Sequence, residues 1–205
     1  MGGRSVTIVR TGTANVASVV AAFERLGMRC VLSEDPDAVQ DAAMVVLPGV
    51  GSFRAGMERL ADSGMDTAIV RRISERRPLL GICLGMQLLA GASDESPGVE
   101  GLGVLPVGVS AFVGSIAVPQ LGWNRIEADR DCCVLSSGMV YYANSYKIDE
   151  IPSGWRGATT THGERFVGAI ERGAVVLCQF HPELSGPFGA GVLKRWIEAA
   201  EGVPC

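Results

Sequence analysis

Histidine is nearly absent: 205 residues contain only His162 and His181. Any proton transfer by an imidazole must fall to one of these two. Aromatic residues are also few, at 6%, and no apolar run approaches the length needed to span a bilayer. Neither charge sign dominates, since 18 Lys and Arg against 22 Asp and Glu give a net charge of −4 with no block of like charges. Nucleic acid and anionic membranes are therefore not expected partners, which leaves small molecules and protein. The six cysteines, Cys30, Cys83, Cys132, Cys133, Cys178 and Cys205, show neither C-x-x-C spacing nor a regular framework. A chain of this size buries a core without staples, so no disulfide, metal or cofactor is called for, and a reducing, cytoplasmic setting is expected. No secretory signal is expected at Met1–Ser5, and Val6 breaks the myristoylation pattern. Internal repeats and low-complexity segments are lacking, and 1–205 reads as one domain.

What is present is an alternation of strand and helix. Ser5 to Val9 reads as a first strand, and Val16, Val19, Val20, Phe23 and Leu26 recur at helical spacing within Asn15 to Leu26. Met28 to Leu32 and Met44 to Leu47 are the next strands, the latter a continuous apolar run suited to a parallel sheet buried on both faces. Helices over Phe53 to Leu60 and Asp66 to Arg76 follow. Gly91 to Gly103 is rich in Gly, Ser and acid and reads as a lid or binding loop. Beyond it the pattern turns to strands broken by turns, over Val104 to Phe112, Gln120 to Ala128, Val140 to Ile148, Ala158 to Thr161, Phe166 to Ile170 and Val175 to Phe180. A helix over Gly189 to Glu201 closes the chain. The fold class is α/β, an open, mostly parallel central sheet flanked by helices, with an antiparallel extension in the second half.

The chemistry centres on Pro78-Leu79-Leu80-Gly81-Ile82-Cys83-Leu84-Gly85-Met86-Gln87-Leu88-Leu89. Gly81 and Gly85 stand two residues either side of Cys83, the spacing of a nucleophile elbow, in which a tight strand-to-helix turn lifts the nucleophile clear of the sheet. Bulkier residues at the glycine positions would collide with the turn. The helix N-terminus favours thiolate over thiol. A buried structural cysteine is the plainer alternative.

A cysteine nucleophile needs a base. His162 lies in the polar turn Thr-His-Gly-Glu and reads as an exposed loop residue, whereas His181 ends the apolar run Val175 to Phe180 and is followed by Pro182 and Glu183. Pro182 biases His181 toward extended backbone, so positions 181 and 183 project to one side and the carboxylate can orient the imidazole. That makes a Cys83–His181–Glu183 relay for attack on a carbonyl. Oxyanion donors are the N–H of Leu84 and the side-chain-free backbone of Pro48-Gly49-Val50-Gly51. Gln87, four residues past Cys83, shares its helical face.

With these residues in view, the chain resembles the class I (triad) glutamine amidotransferases, and among them the glutaminase subunits of imidazole glycerol phosphate synthase. The resemblance runs end to end. It rests on Gly81-Ile82-Cys83-Leu84-Gly85-Met86-Gln87-Leu88-Leu89 and Phe180-His181-Pro182-Glu183, supported by Pro48-Gly49-Val50-Gly51, Gly122-Trp123-Asn124, Asn15 and Ser145-Tyr146.

The resemblance implies that Leu84 and Val50 supply oxyanion N–H groups, and that Gly49, Gly51, Gln87, Glu95 and Ser145 hold L-glutamine. It further implies that Asn15, Trp123, Tyr141 and Leu184 face a (β/α)₈ cyclase/synthase subunit, in a heterodimer serving histidine biosynthesis. Glutamine would be hydrolysed to glutamate through a glutamyl thioester, and the ammonia passed on. The family usually carries lysine after the triad glutamate and histidine before the Ser-Tyr pair and ahead of Gly-Trp-Asn, where this chain has Leu184, Asn144 and Gln120. Three other functions are the alternatives: service to a different synthase, a stand-alone cysteine amidohydrolase, and a non-catalytic regulatory subunit, which should have lost part of the triad that this chain keeps.

Overall fold

The computed structural model describes residues 4–10 and 16–203. Nine strands form the main sheet, in the order β2-β1-β3-β4-β12-β11-β10-β7-β8. Its first half is β1 (Ser5–Val9), β2 (Arg29–Ser33), β3 (Val45–Gly49), β4 (Leu79–Cys83) and β12 (Val175–Cys178), all paired in parallel. Its second half is antiparallel: β11 (Glu164–Arg172), β10 (Arg156–His162), β7 (Gln120–Ala128) and β8 (Gly138–Asn144). A small sheet joins β5 (Ala92–Ser93), β6 (Gly108–Ala111) and β9 (Tyr146–Lys147).

The apolar runs of the central strands serve two cores at once, because successive side chains leave opposite faces. Val46, Leu80, Ile82, Val176 and Cys178 face one core, which receives Val19, Ala22 and Phe23 of α1 (Val16–Arg25) and Val192, Leu193, Trp196 and Ile197 of α6 (Gly186–Ala200). Val45, Leu47, Leu79, Val175 and Leu177 face the other. That side holds Phe53 and Leu60 of α3 (Phe53–Ser63) and Met65, Ile69 and Ile73 of α4 (Met65–Ser74). Full burial on both faces is why these strands lack polar alternation.

Several expectations need correction. The helix α2 (Pro36–Asp41) escaped the periodicity argument because it is short, yet Asp35 caps it through Asp37 N at 3.0 Å and Pro36 opens it. Of Val104 to Phe112 only β6 is strand. The backbone before it pairs instead with the elbow helix's exit, Leu105 N donating to Leu89 O at 2.9 Å and Gly103 N to Ala90 O at 3.1 Å. The same pairing anchors Gly91 to Gly103, and Glu95 within it lines the main cavity, which fits the binding-loop half of the expectation better than a free lid. The expected strand Val140 to Ile148 breaks at Ser145 into β8 and β9. Cys30, Cys83, Cys132 and Cys178 are free thiols, while Cys133 is disulfide-bonded, against the expectation from spacing.

Candidate active site

Three adjacent strands of the parallel half, β3, β4 and β12, deliver the site at their carboxyl ends, where open α/β sheets bind ligands. Pro48 to Gly51 closes β3, Cys83 closes β4, and His181 follows β12. Cys83 lies at φ 54°, ψ −113°, one of two non-glycine residues with positive φ among those described, directly before α5 (Leu84–Gln87). Backbone held there costs about 1 to 3 kcal/mol and persists only when its surroundings enforce it.

Those surroundings are the glycines. A Cβ on Gly85 would lie 2.0 Å from Leu47 O, one on Gly81 2.8 Å from Leu177 Cδ2, and one on Gly49 2.7 Å from Gly85 N. Close approach of β3 to the elbow thus requires glycine on both sides of the contact.

His181 is extended, at φ −99° and ψ 95°, and Glu183 sits in the one-turn 3-10 helix Pro182–Leu184. Nδ1 of His181 lies 2.8 Å from Oε1 of Glu183, and the imidazole is near enough to Cys83 to interact with it electrostatically. Burial alone would disfavour the imidazolium. The facing Cys83 and Glu183 outweigh it and raise the His181 pKa to about 10. Cys83, His181 and Glu183 are thus brought to one place, with the Glu183 carboxylate against the ring at Nδ1. Burial also raises two thiols away from the cavity: Cys132 is pushed up to about 12, and fully buried Cys178 is raised as well.

The turn bearing His181 is tied to β8. His181 N donates to Tyr141 O at 2.9 Å, Tyr141 N donates to Ser185 Oγ at 2.9 Å, and that hydroxyl donates to His181 O at 2.6 Å.

A cavity of about 480 Å³ opens over Cys83. Every expected catalytic, oxyanion and substrate residue lines it: Cys83, His181 and Glu183; Leu84 and Val50; Gly49, Gly51, Gln87, Glu95 and Ser145. Glu95 Oε2 accepts from Phe53 N at 2.7 Å at the start of α3, which fixes the carboxylate at the cavity wall. Of the expected partner-facing residues, Tyr141 and Leu184 lie on the cavity rim. Trp123 stands outside it, 56% exposed, with its ring edge-on to Tyr141 at 6.2 Å. Asn15 falls outside the described residues. His162 is remote from the cavity. It is the last residue of β10, bonded through Nε2 to Ala117 O at 2.7 Å and packed edge-on against Phe112, so it is tethered where the sequence suggested a loose loop.

One buried polar residue was missed. Gln179 was absorbed into the apolar run Val175 to Phe180, yet it is fully buried, accepts from Gln87 Nε2 at 2.8 Å and donates to Cys83 Sγ at 3.7 Å. An amide inside an otherwise apolar run, directly after β12, was the available signal. Gln120 and Asn144, two of the departures from the family pattern, are directly opposed across β7 and β8. Each leaves a buried side-chain oxygen without a partner.

This fold and this constellation are those of a class I glutamine amidotransferase, and the chain belongs to that family, whose model, "Glutamine amidotransferase class-I", matches residues 8–199. Solved structures of low identity share the fold: "Crystal structure of glutamine amidotransferase" superposes with TM-score 0.76 at 20% identity, covering 97% of this chain and 99% of that one. PurLQS from Thermotoga maritima gives 0.74 at 15%, covering 96% and 99%.

More specific are the curated relatives named imidazole glycerol phosphate synthase subunit HisH. The Methanopyrus kandleri protein is 41% identical over 201 residues, 95% of this chain and 98% of that protein. The Symbiobacterium thermophilum protein is 38% identical over 196 residues, 93% and 92% respectively. Imidazole glycerol phosphate synthase hisHF, chloroplastic, of Arabidopsis thaliana is 39% identical over 94% of this chain, which spans only 34% of that longer protein. No helix among the described residues is long and apolar enough to cross a membrane.

Proposed function

We propose that the chain is a glutaminase subunit that hydrolyses L-glutamine and hands the ammonia to a (β/α)₈ cyclase/synthase for imidazole glycerol phosphate formation in histidine biosynthesis. The observation that carries the chemistry is that Cys83 and His181 line one cavity, with Nδ1 of the imidazole held 2.8 Å from Glu183.

In this reading the Cys83 thiolate attacks the side-chain amide carbon, and the N–H groups of Leu84 and Val50 receive the oxyanion. Donors of this kind typically contribute about 3 to 4 kcal/mol each. His181, protonated in the resting site, gives its proton to the departing nitrogen, and the C–N bond breaks to leave a glutamyl thioester and ammonia. Neutral His181 then takes a proton from water, and the hydroxide attacks the thioester carbon. Collapse expels the thiolate and yields glutamate, with the proton retained on His181. Gly49, Gly51, Gln87, Glu95 and Ser145 hold the amino acid.

A partner is favoured over a stand-alone hydrolase by the exposed apolar side chains beside the cavity mouth. Leu121 and Trp123 of β7, Met139 of β8 and Leu184 are all exposed, and an aromatic-centred apolar face of this kind marks a protein contact. We further propose that Tyr141 joins this face, that Asn15 also contacts the synthase, that the assembly is a heterodimer, and that it works in the cytoplasm. Glutamate release from glutamine, measured alone and with a candidate synthase, tests the proposal. Turnover that appears or rises on mixing supports it. Equal turnover with and without the synthase argues for the stand-alone enzyme, and none in either case argues for the regulatory subunit.

A further inference from the structure

The buried chain of amides behind Cys83 has its polarity set from one end. Tyr146 O is a backbone carbonyl and can only accept, so the Gln87 group 3.2 Å from it must be the NH₂ end. The same Nε2 lies 2.8 Å from Gln179, which must therefore present its oxygen there. That leaves Gln179 Nε2 toward Cys83 Sγ, at 3.7 Å. A flip of either amide would oppose two donors or two acceptors in a region where Gln179 is fully buried. One donor of Gln179 is thereby fixed on the sulfur, and Gln87 keeps Oε1 as the acceptor it can offer to the cavity.

We propose that Gln179 is a positioning residue for the reaction: it holds the Cys83 sulfur as the attacking thiolate and turns the acceptor end of Gln87 toward the amino acid in the cavity. A neutral thiol is a weak acceptor, whereas a thiolate gains a charge-assisted hydrogen bond from the same N–H. Gln179 and His181 then hold the sulfur together. The relay alone does not explain why an amide should be buried at the end of β12, between the nucleophile and Gln87. The inference rests on the proposed glutaminase reading for what fills the cavity, but not for the state of the sulfur.

The test is the rate at which iodoacetamide alkylates Cys83 in the full chain as a function of pH, followed by mass spectrometry of the Cys83 peptide. Gln179→Leu removes the donor at similar volume, and Gln179→Glu changes only the NH₂ to an oxygen, so its shape is preserved if the leucine variant does not fold. Loss of one charge-assisted hydrogen bond should slow alkylation at pH 7 about tenfold and move the pH profile upward. Gln179→Glu should slow it further, because a carboxylate there repels the thiolate. Where turnover is measurable with a synthase, kcat should fall and KM for glutamine rise, as Gln87 loses its anchor.

A merely structural role would lower the unfolding midpoint and leave the pH profile in place. Alkylation in both variants within twofold of wild type, with an unmoved profile, overturns the inference. If the wild-type chain hydrolyses no glutamine with any synthase, the glutaminase reading fails. The alkylation profiles still decide the role of Gln179.

Discussion

Replacing Gly85 by alanine puts one methyl group into the tightest gap of the site. Its Cβ would sit 2.0 Å from Leu47 O and 3.0 Å from Leu47 C, against an ordinary carbon–oxygen approach of about 3.3 Å. Both obstacles are backbone, so no rotamer change relieves them. The elbow and β3 must part by roughly 1.3 Å, the difference between those separations. Overpacking of this kind costs about 1 to 3 kcal/mol, and with only backbone to yield, the upper end is expected. The larger effect is on turnover. Because β3 leads into Val50 while the elbow carries Cys83 and Leu84, separating them displaces the proposed oxyanion donor Val50 N–H from the nucleophile, and a misplacement on the order of 1 Å costs about a hundredfold.

Gly81→Ala is the internal control. Its Cβ meets the tip of Leu177 at 2.8 Å and Gly85 O at 3.2 Å, and the leucine tip can rotate away. Gly81→Ala should therefore be milder on both counts. Glutamate release with synthase present and urea unfolding followed by circular dichroism measure the two effects. Wild-type turnover in Gly85→Ala, or a more damaging Gly81→Ala, would refute the reasoning.

Three further outcomes follow from the same geometry. Cys83→Ala and Cys83→Gly should both abolish glutamine hydrolysis, but the glycine variant should unfold at higher urea, because it releases about 1 to 3 kcal/mol of strain held at φ 54°; equal midpoints would mean the turn is unstrained. His181 has its pKa raised to about 10 from an ordinary 6.5, so the stability its protonation confers is fully present below pH 6.5 and lost as pH rises through about 10. The unfolding free energy of wild type minus that of Glu183→Gln should accordingly be largest at pH 6.5 and shrink toward pH 10; a difference flat with pH would remove Glu183 from the relay. Leu184 is 41% exposed on the cavity rim, where the family pattern has a lysine. A synthase matched to that lysine is expected to present a carboxylate, which loses about 3 to 5 kcal/mol when desolvated against Leu184, so titration calorimetry should show weak binding to a synthase from a lysine-bearing pair and partial recovery in Leu184→Lys; equal affinity of wild type and variant would show that the position carries no partner information.

The parallel half of the sheet was legible because runs such as Val45-Val46-Leu47 and Leu79-Leu80 are buried on both faces and leave no polar alternation to confuse the period. The elbow was legible for a different reason. Gly81, Cys83 and Gly85 are close in sequence, and each answers a local steric demand. Less could be read where structure depends on distant partners. The segment Gly91 to Gly103 looked like a lid by composition, but its anchors are backbone groups at Leu88 to Gly91 and the N-terminus of α3, which composition cannot reveal. Gln179 was hidden inside an apolar run because its partners, Gln87 and Cys83, lie 92 and 96 residues away. The short helix α2 was readable in principle from Asp35-Pro36, a cap followed by a first-turn proline, though not from periodicity.

The claim on which the rest depends is that Cys83 carries the glutamyl group during turnover. Mass spectrometry of the chain, acid-quenched while consuming glutamine in the presence of its synthase, addresses it directly. The account predicts a glutamyl adduct on the peptide bearing Cys83 and on no other. An unmodified Cys83 during rapid turnover, or an adduct on Cys132 or Cys178 instead, would contradict it.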